Sequence, residues 1–383
     1  MATNNNDKTL NVPHLRFPEF SGEWEEEQLD SIATLSKGIG ISKEQLSEDG
    51  EPCILYGELY TKYKSEIIKQ VESKTDIDCS KLKRSKANDV IIPCSGETAV
   101  DIATARCVPF DNILLGGDLN IISLHKYDGA FMSYQLNGKR KYDIARVAQG
   151  VSVVHLYGEH LKAIKTYNPS LPEQQKIAKL LSLIDERIAT QNKIIEKLES
   201  LIRGIYKTLL GESDQYRYLD ELCEIKKGVQ VNKEELSEKG LYYVMNGGIT
   251  PSGYYDLYNT EANTISISEG GNSCGYVQYN YTPFWSGGHC YTLENISDVV
   301  DDRYLFHYLK ANELQIMSLR IGSGLPNIQK KDLSAFRIPL PALNKQINIA
   351  KALDALLYKI TVDKNIYSTY KQQKEYLLQQ MFI

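Results

Sequence analysis

Apolar residues recur at alternating spacings of four and three along two long stretches of the chain. Gln191 is the polar residue in the first series, and the first break in the weaker second series, Asp363, falls at the same level. The first stretch has Ile177, Leu181, Ile184, Ile188, Ile195, Leu198, Ile202, Ile205 and Leu209, and the second begins with Ile349, Leu353, Leu356 and Ile360. This heptad pattern predicts two helices, each about 57 Å long at 1.5 Å per residue.

Two apolar stripes of equal length in one chain most simply cover each other. A chain that runs from a globular unit to a helix, then to a second unit and a second helix, favours an antiparallel pair. The predicted arrangement is therefore an antiparallel coiled coil with a globular unit at each end. The alternative, in which each helix packs only on its own unit, stays open.

The globular parts contain an internal repeat. Residues 29–50 align without gaps with residues 219–240, and eight of the 14 positions from 37 to 50 are identical, among them Lys37/Lys227 and Gly38/Gly228. Further along, residues 161–181 align with residues 333–353, and Gln174 corresponds to Gln346. Two matches in the same order predict a duplicated unit.

Between these matches the two copies diverge. Both contain short apolar or aromatic runs broken by Gly, Asn and Pro, as in residues 90–100 and 112–122, which indicates strands joined by turns. Residues 287–288 repeat the Gly-Gly pair at 116–117, and residues 130–147 and 302–319 look helical. The predicted fold class is α+β, with two mixed α/β domains in a pseudo-twofold tandem repeat.

Composition narrows the class of protein. The 383 residues carry 44 Lys+Arg and 49 Asp+Glu, a net charge of −5, and contain no apolar run of 18 residues and no secretory signal at the start. The seven cysteines are odd in number and form no CxxC, which argues against a disulfide scaffold and favours a reducing cytosol. We expect a cytoplasmic protein without a membrane partner.

Catalytic signatures are absent from the sequence. It has no GxxxxGK[ST], HExxH or GxSxG motif. Asn168-Pro169 lacks the residues that follow in amino-methyltransferases, and Asp214 with Glu224 and Lys226 only outlines a nuclease motif. His289 and Cys290, with Cys274 upstream, lack a fourth ligand for zinc. The expectation is therefore no enzyme, no metal and no cofactor in this chain.

Local charge makes DNA binding more plausible than the net charge suggests. Residues 29–165 hold 18 Lys+Arg and 18 Asp+Glu, and two basic clusters stand out, because phosphates need only a local positive face. Residues 211–340 are acidic, with 11 Lys+Arg against 17 Asp+Glu, and offer polar and aromatic groups instead. The candidate DNA-binding residues are Lys81, Lys83, Arg84, Lys86, Lys139, Arg140, Lys141, Asn246, Tyr254, Tyr255, Tyr276, Tyr279, Trp285 and Arg320.

Three stretches together resemble the specificity subunits of type I restriction–modification systems. They are an opening Pro-x-Leu-Arg-Phe-Pro-x-Phe-x-Gly-x-Trp at residues 13–24, Pro-x-Leu-Pro-Glu-Gln at residues 169–174, and Leu-Leu-Gln-Gln-Met-Phe at residues 377–382. The resemblance covers nearly the whole chain. One departure is that the second copy has Asn344-Lys345-Gln346 where the family favours Pro-Glu-Gln.

The resemblance implies an organisation of the chain. It comprises an N-terminal segment at residues 1–28, a first target-recognition domain at 29–168, a central conserved helix at 169–210, a second target-recognition domain at 211–340 and a distal conserved helix at 341–383. The paired helices would act as a spacer and as a docking surface through Ile177, Leu181, Ile184, Ile188, Ile195, Leu198, Ile202, Ile349, Leu353, Leu356 and Ile360.

The resemblance also implies a function and partners. Each domain would read half of a split, asymmetric target in double-stranded DNA. Two modification subunits carrying S-adenosylmethionine would methylate the target, and two restriction subunits using ATP and Mg²⁺ would translocate and cleave DNA. The chain itself would be a non-catalytic recognition subunit. Two rival functions are an enzyme, which would need one of the missing motifs, and a non-DNA adaptor or carbohydrate-binding protein that uses the tyrosine-rich second unit.

Overall fold

The chain folds into two compact units. Unit 1 consists of Met1–Asn192 together with Ile366–Ile383, and unit 2 is Lys193–Asn365. The computed structural model describes residues 10–150, 153–210, 213–322, 324 and 326–383. The first nine residues of the predicted N-terminal segment and the first two of the predicted second domain thus lie outside the described residues. The predicted domain boundaries stay a prediction.

Unit 1 is a mixed α/β domain made of short elements. Its strands are β1 (Glu25–Gln28), β2 (Ala33–Lys37), β3 (Leu46–Ser47), β4 (Glu51–Ile54), β5 (Lys74–Thr75), β6 (Lys83–Arg84), β7 (Asp89–Pro93), β8 (Ser95–Gly96), β9 (Arg106–Val108), β10 (Leu114–Leu115), β11 (Leu119–Leu124), β12 (Val154–His155) and β13 (Lys165–Asn168). Its short helices are α1 (Leu29–Ile32), α2 (Glu58–Thr61), α3 (Ala99–Ile102), α4 (Gly129–Asn137), α5 (Lys141–Val147) and α6 (Gly158–Lys162), and a 3₁₀ turn spans Lys43–Gln45.

Two sheets carry most of unit 1. One is antiparallel, in the order β2-β11-β7-β9, and the other is mixed, in the order β3-β5-β4-β10-β6, with β4 and β10 parallel. Strand β7 is buried along its whole length, as the continuous apolar run at its centre predicts. A further pair, β1 with β13, joins the start of the domain to its end, immediately before the first long helix.

Unit 2 repeats this frame with fewer strands. Its strands are β14 (Tyr216–Tyr218), β15 (Glu224–Lys227), β16 (Tyr242–Met245), β17 (Tyr254–Tyr255), β18 (Thr264–Ser268), β19 (Val277–Asn280), β20 (Trp285–Ser286), β21 (Cys290–Glu294) and β22 (Arg337–Pro339). They form a four-stranded antiparallel sheet, β15-β21-β18-β19, a three-stranded sheet, β17-β16-β20, and the pair β14 with β22. Both sheets and the strand pair have counterparts in unit 1, which supports the predicted duplication.

Two long helices complete the fold. The first, α7 (Leu171–Leu209), has 39 residues. In unit 2 the shorter helices are α8 (Leu219–Leu222), α9 (Asp302–Ala311), α10 (Glu313–Ser318) and α11 (Lys330–Ser334), a 3₁₀ turn spans Lys233–Glu235, and the second long helix, α12 (Leu343–Gln380), has 38 residues. Both long helices were predicted. The segments at 130–147 and 302–319 are each two helices, broken at Gly138 and at Asn312.

The two long helices pair in opposite directions within unit 1. Asp185 of α7 lies 2.6 Å from Lys374 of α12, and Arg187 lies over the ring of Tyr370, so numbers rise along one helix as they fall along the other. The predicted α+β class with an antiparallel helix pair is therefore confirmed. The helices also pack on the domain of their own unit, since α7 and α12 of unit 1 share one apolar cluster with Trp24.

The heptad seam is buried as predicted, except at its end. Ile177, Leu181 and Ile184 are buried in unit 1, and the same is true of Ile195, Ile202, Ile349, Leu353 and Ile360 in unit 2, while Ile188, Leu198 and Leu356 are partly buried. Leu209 was wrongly included, because it is 38% exposed while Leu210, just beyond the helix, is buried. The chain leaves the helical period there, so the next residue turns inward.

Candidate nucleic-acid interface

At one repeated glycine in each unit, two backbone segments come into close contact. A Cβ atom on Gly38 would collide with the carbonyl oxygen of Gly116, and one on Gly228 would collide with that of Gly287. These positions therefore need glycine in both copies. The approach brings the ends of β2 and β15 against the Gly-Gly loops, so an identical frame presents a different set of surface side chains in each unit.

The first basic cluster lies on strand β6 and the turn around it, at the edge of the mixed sheet of unit 1. Lys81 and Lys86 are exposed and Lys83 is half-buried, and no ion pair involves them among the described residues. Arg84 instead makes two hydrogen bonds to Glu51, at 2.5 and 2.9 Å. This bond raises the pKa of Arg84 and neutralises its charge locally.

The second basic cluster lies at the start of α5 and is partly occupied by contacts within unit 1. Arg140 donates from Nη2 to the carbonyl oxygen of Ile383 at 3.0 Å, lies over the ring of Tyr167 and pairs with Asp143 at 3.3 Å. Its guanidinium therefore has a role in the fold. Lys139 and Lys141 are half-buried and have no such ion pair in the described residues. Their binding to DNA stays a prediction.

In unit 2, aromatic candidates cluster on the three-stranded sheet. Tyr255 and Trp285 pack edge to face with ring centroids 5.0 Å apart, and Trp285 donates from its indole to the carbonyl oxygen of Val229 at 2.8 Å. Tyr254, on the same strand as Tyr255, is 37% exposed. Asn246 follows the neighbouring strand and accepts a hydrogen bond from the backbone N–H of His289 at 3.1 Å. These side chains form a partly exposed aromatic and amide surface.

Three further candidates of unit 2 lie apart from that surface. Tyr279 is 9% exposed, its hydroxyl donates to Asp302 at 2.5 Å, and the guanidinium of Arg303 lies 3.9 Å from its ring centroid. Burial and this hydrogen bond raise the pKa of Tyr279. Tyr276 is half-buried beneath the ammonium of Lys310, whereas Arg320 is exposed. Tyr279 thus has a packing role.

A groove of about 710 Å³ in unit 1 was not predicted. Tyr56, Tyr60, Gly96, Glu97 and Asp101 are among the residues that line it. The hydroxyl of Tyr60 is occupied, because it donates to the carbonyl oxygen of Ser95 at 3.0 Å. These side chains are far apart in sequence and share no motif, so no pattern in the chain could have indicated the groove.

The glutamine that is repeated at each helix entry makes the same contacts in both units. Gln174 accepts from the backbone N–H of Asp128 at 2.9 Å and donates to the carbonyl oxygen of Pro169 at 2.8 Å. In unit 2, Gln346 makes the same pair of bonds at 2.9 and 2.8 Å, to Asp301 and Pro341. The departure at Asn344-Lys345 therefore leaves the glutamine contact unchanged.

What the second copy lacks is the ion pair beside this glutamine. In unit 1 the buried Glu173 binds Arg16 of the N-terminal segment at 2.7 and 2.8 Å. Lys345, at the equivalent position of unit 2, is exposed. The opening segment is thus fixed to the first helix entry by a charged, two-point contact.

A buried polar contact from the matching short helix also joins each domain to its long helix. The hydroxyl of Tyr134 on α4 donates to Asp185 at 2.7 Å, and His307, at the corresponding place on α9, lies 2.8 Å from Asp354. Burial lowers the pKa of His307 more than its carboxylate partner raises it. These contacts could not be predicted from the sequence, because the two carboxylates lie at different positions of the helix repeat.

The described residues contain no group of three His, Cys, Asp or Glu side chains that could hold a metal ion. Cys274 and Cys290, considered beside His289, are both buried, and burial raises the pKa of both thiols. None of the helices within the described part of the chain is both long enough and apolar enough to span a membrane.

Comparison with known proteins identifies two copies of one domain. A family model described as the type I restriction modification DNA specificity domain matches residues 21–200 and again residues 213–371. A protein of Mycoplasma pneumoniae named as a type I specificity subunit is 38% identical over 144 residues, which is 37% of this chain and 38% of that protein. One from Mycoplasma genitalium is 36% identical over 139 residues, or 36% of each chain. The chain thus aligns with well under half the length of these two relatives.

A solved structure shares the fold over the whole chain. The crystal structure of the S subunit of a type I restriction–modification system from M. genitalium has a TM-score of 0.73 with 21% sequence identity, and the match covers 97% of this chain and 99% of that one. At this identity, the likeness shows a common fold.

Proposed function

Because the chain belongs to the type I restriction–modification DNA specificity family, we propose that it is the DNA-recognition subunit of such a system. Unit 1 and unit 2 each read one half of a bipartite, asymmetric target in double-stranded DNA. The observation that supports this proposal is that the same arrangement of sheets occurs in both units but carries different surface side chains. Gly38 and Gly228 hold the same backbone approach, while the side chains around them are basic in one unit and aromatic in the other.

Different surfaces on one frame suit an asymmetric target. Phosphate contacts set the position of a protein on the duplex, whereas side chains in the grooves read the bases. In unit 1, Lys81, Lys83 and Lys86 supply positive charge for the backbone. In unit 2, Asn246 and the aromatic surface with Tyr254 offer hydrogen bonds and apolar contacts to base edges. Identical surfaces would instead read a palindrome.

The long helices serve as the spacer and as a docking surface in this proposal. One turn of duplex is about 34–36 Å long, so two half-sites need reading domains held at a fixed separation. The helices α7 and α12 are stiff enough for that role, at about 57 Å each. Two modification subunits with S-adenosylmethionine would dock on them, and two restriction subunits would bring ATP and Mg²⁺. The chain itself supplies no catalytic group.

A segment exchange tests this proposal. Replacing residues 247–324 with the matching segment of a relative, in a complex with the modification subunits, should change one half-site and leave the other unaltered. The target would be mapped by sequencing methylated adenines. An exchange within the shared frame, at residues 233–240, is the matched control and should leave both half-sites intact. A change in both half-sites after the first exchange would contradict the assignment of one unit to one half-site.

The second candidate is a non-DNA adaptor or carbohydrate-binding protein. The exposed aromatic surface of unit 2 favours it, because aromatic rings also pack on sugars. A gel shift with bipartite duplex DNA, with the modification subunit present, separates the two. Sequence-specific retention supports the recognition subunit, whereas retention on glycans without DNA binding supports the alternative.

A further inference from the structure

A buried carboxylate at the end of strand β18 holds an exposed lysine in place. Glu269 is only 6% exposed, and its Oε1 accepts from Lys227 Nζ at 2.7 Å and lies 3.0 Å from the hydroxyl of Tyr291. The side chain of Lys227 remains 54% exposed. Its ammonium group is therefore oriented by a fixed partner while it still faces outward. An oriented donor at the rim of a recognition domain is suited to reading a base edge rather than to attracting DNA by its charge alone.

The rim around Glu269 is rigid. Its backbone N–H donates to the carbonyl oxygen of His289 at 2.9 Å, and its carbonyl oxygen accepts from Ile328 at 2.8 Å. Gly247 has a φ of +81°, and a Cβ there would lie 3.1 Å from His289. A positive φ and this close approach both favour glycine. The loops that surround Lys227 are thus fixed to one another.

The other carboxylate oxygen of Glu269 faces a second exposed side chain. Among the described residues, Oε2 is buried and makes no hydrogen bond, and His289 Nδ1 lies 3.8 Å from it. The side chain of His289 is 64% exposed. His289 is therefore the exposed side chain beside this oxygen.

The backbone of this site is duplicated, but its chemistry is not. In unit 1 the backbone N–H of Cys94 donates to the carbonyl oxygen of Asp118 at 2.7 Å, and the carbonyl oxygen of Cys94 accepts from the backbone N–H of Leu156 at 2.8 Å. The backbone of Glu269 makes the equivalent two bonds in unit 2. Cys94 therefore occupies the place of Glu269, and Asp118 that of His289. Lys37 is the counterpart of Lys227, and it lies over the ring of Tyr157 without an ion pair in the described residues.

Resting on the proposed function, we propose that Lys227 reads a guanine in the half-site of unit 2 and that Glu269 is its positioning residue. A phosphate contact is disfavoured, because a phosphate at Lys227 would meet the negative charge of Glu269 within a few ångströms. The acceptors of a base edge carry no such charge. A lysine ammonium only donates, and guanine alone presents two adjacent acceptors, O6 and N7, in the major groove.

Substitutions at the two repeat-equivalent lysines test this inference in the complex with the modification subunits. Once the target is mapped, binding is measured to duplexes altered one base pair at a time and over a range of salt concentrations. Lys227→Ala should lower discrimination at one G·C pair by roughly 5- to 150-fold and leave the other pairs unaffected. Lys37→Ala, the matched control, should weaken binding to all sequences alike and reduce the log–log salt slope by about one.

Substitutions around Glu269 separate positioning from folding. Glu269→Gln keeps the size of the side chain but removes its charge. Discrimination at the same G·C pair should fall. Affinity for unrelated DNA should rise, because a negative charge that repels the DNA phosphates is lost. Loss of folding would lower both. Tyr291→Phe keeps the carboxylate and should reduce discrimination at that pair by a smaller factor.

Three outcomes would overturn the inference. A half-site of unit 2 without a G·C pair excludes a guanine contact. A Lys227→Ala complex with intact discrimination and a reduced salt slope identifies a phosphate contact instead. A Glu269→Gln complex with unchanged discrimination removes the positioning role. The proposed function fails separately, if the unaltered complex has no bipartite target at all.

Discussion

Replacing Lys374 with methionine should open the helix pair of unit 1, because two buried carboxylates would lose their cation. Lys374 Nζ lies 2.5 Å from Glu66 and 2.6 Å from Asp185, and these side chains are 14%, 9% and 7% exposed. Tyr134 adds its hydrogen bond to Asp185. Removing one partner of a buried ion pair costs about 3–5 kcal/mol, since the remaining charge stays buried without compensation. We expect a local opening that is roughly 100- to 5,000-fold more frequent.

The defect should depend on pH in a definite direction. Burial, together with the neighbouring charge of Asp185, keeps the pKa of Glu66 raised even though Lys374 lowers it. A carboxyl with a raised folded-state pKa stabilises the fold at low pH, and that contribution is lost as pH rises through the folded-state value. Without Lys374 the pKa of Glu66 rises further. The impairment of the Lys374→Met variant should therefore be smallest at low pH and should grow as pH rises.

Hydrogen exchange measured by mass spectrometry suits this test, because it reports local opening in a chain with two units. Peptides from residues 177–190 and 366–383 should lose protection together. Lys364→Met is the matched control on the same helix. Lys364 pairs with Glu199 at 2.8 Å, but both side chains are well exposed, so its loss should cost under about 1 kcal/mol. Unchanged protection in Lys374→Met at pH 8, or an equal loss in Lys364→Met, would refute the reasoning.

Three further tests probe charge, pH dependence and the spacing of the half-sites. Lys83→Ala should reduce the log–log salt slope of DNA binding by about one, whereas Arg84→Ala should not, because Glu51 already occupies Arg84. Hydrogen bonds from Arg303 and His307 outweigh burial and lower the pKa of Asp354, so unit 2 should lose stability as pH falls through that lowered value, and thermal melts of Asp354→Asn should lack this loss. Adding one heptad to both long helices, after residues 191 and 363, should lengthen the unread spacer by about three base pairs in the mapped target, and an unchanged spacer with intact affinity would contradict the spacer role.

The long helices and the duplication were predictable, because both rest on patterns that repeat along the chain. A heptad seam needs only local periodicity, and its polar interruptions at Gln191 and Asp363 did not break the helices. The prediction was wrong where a local signal ended. Leu209 continues the heptad spacing in the sequence, but the helix ends there and Leu210 is buried instead. Gly138 likewise divides a stretch that reads as a single helix.

The candidate site was less predictable, because a cluster of charges in sequence does not reveal its partners. Arg140 belongs to a basic run, yet its guanidinium binds a carbonyl oxygen 243 positions further along the chain, at Ile383. Arg84 is paired with Glu51, 33 positions earlier. Tyr279 is a candidate DNA-binding residue from the sequence, but it is buried against Arg303. These partners are brought together only by the folded chain.

Identity between the two copies also needs the structure for its interpretation. Gln174 and Gln346 are identical and make identical bonds, so here a shared residue does a shared job. Lys37 and Lys227 are equally identical, and from the sequence both belong to the common frame. However, the residue opposite Lys227 is a buried carboxylate, and in unit 1 that position is Cys94. The electrostatic surroundings of a lysine, rather than its conservation between the copies, decide whether it can attract a phosphate or must address an uncharged base edge.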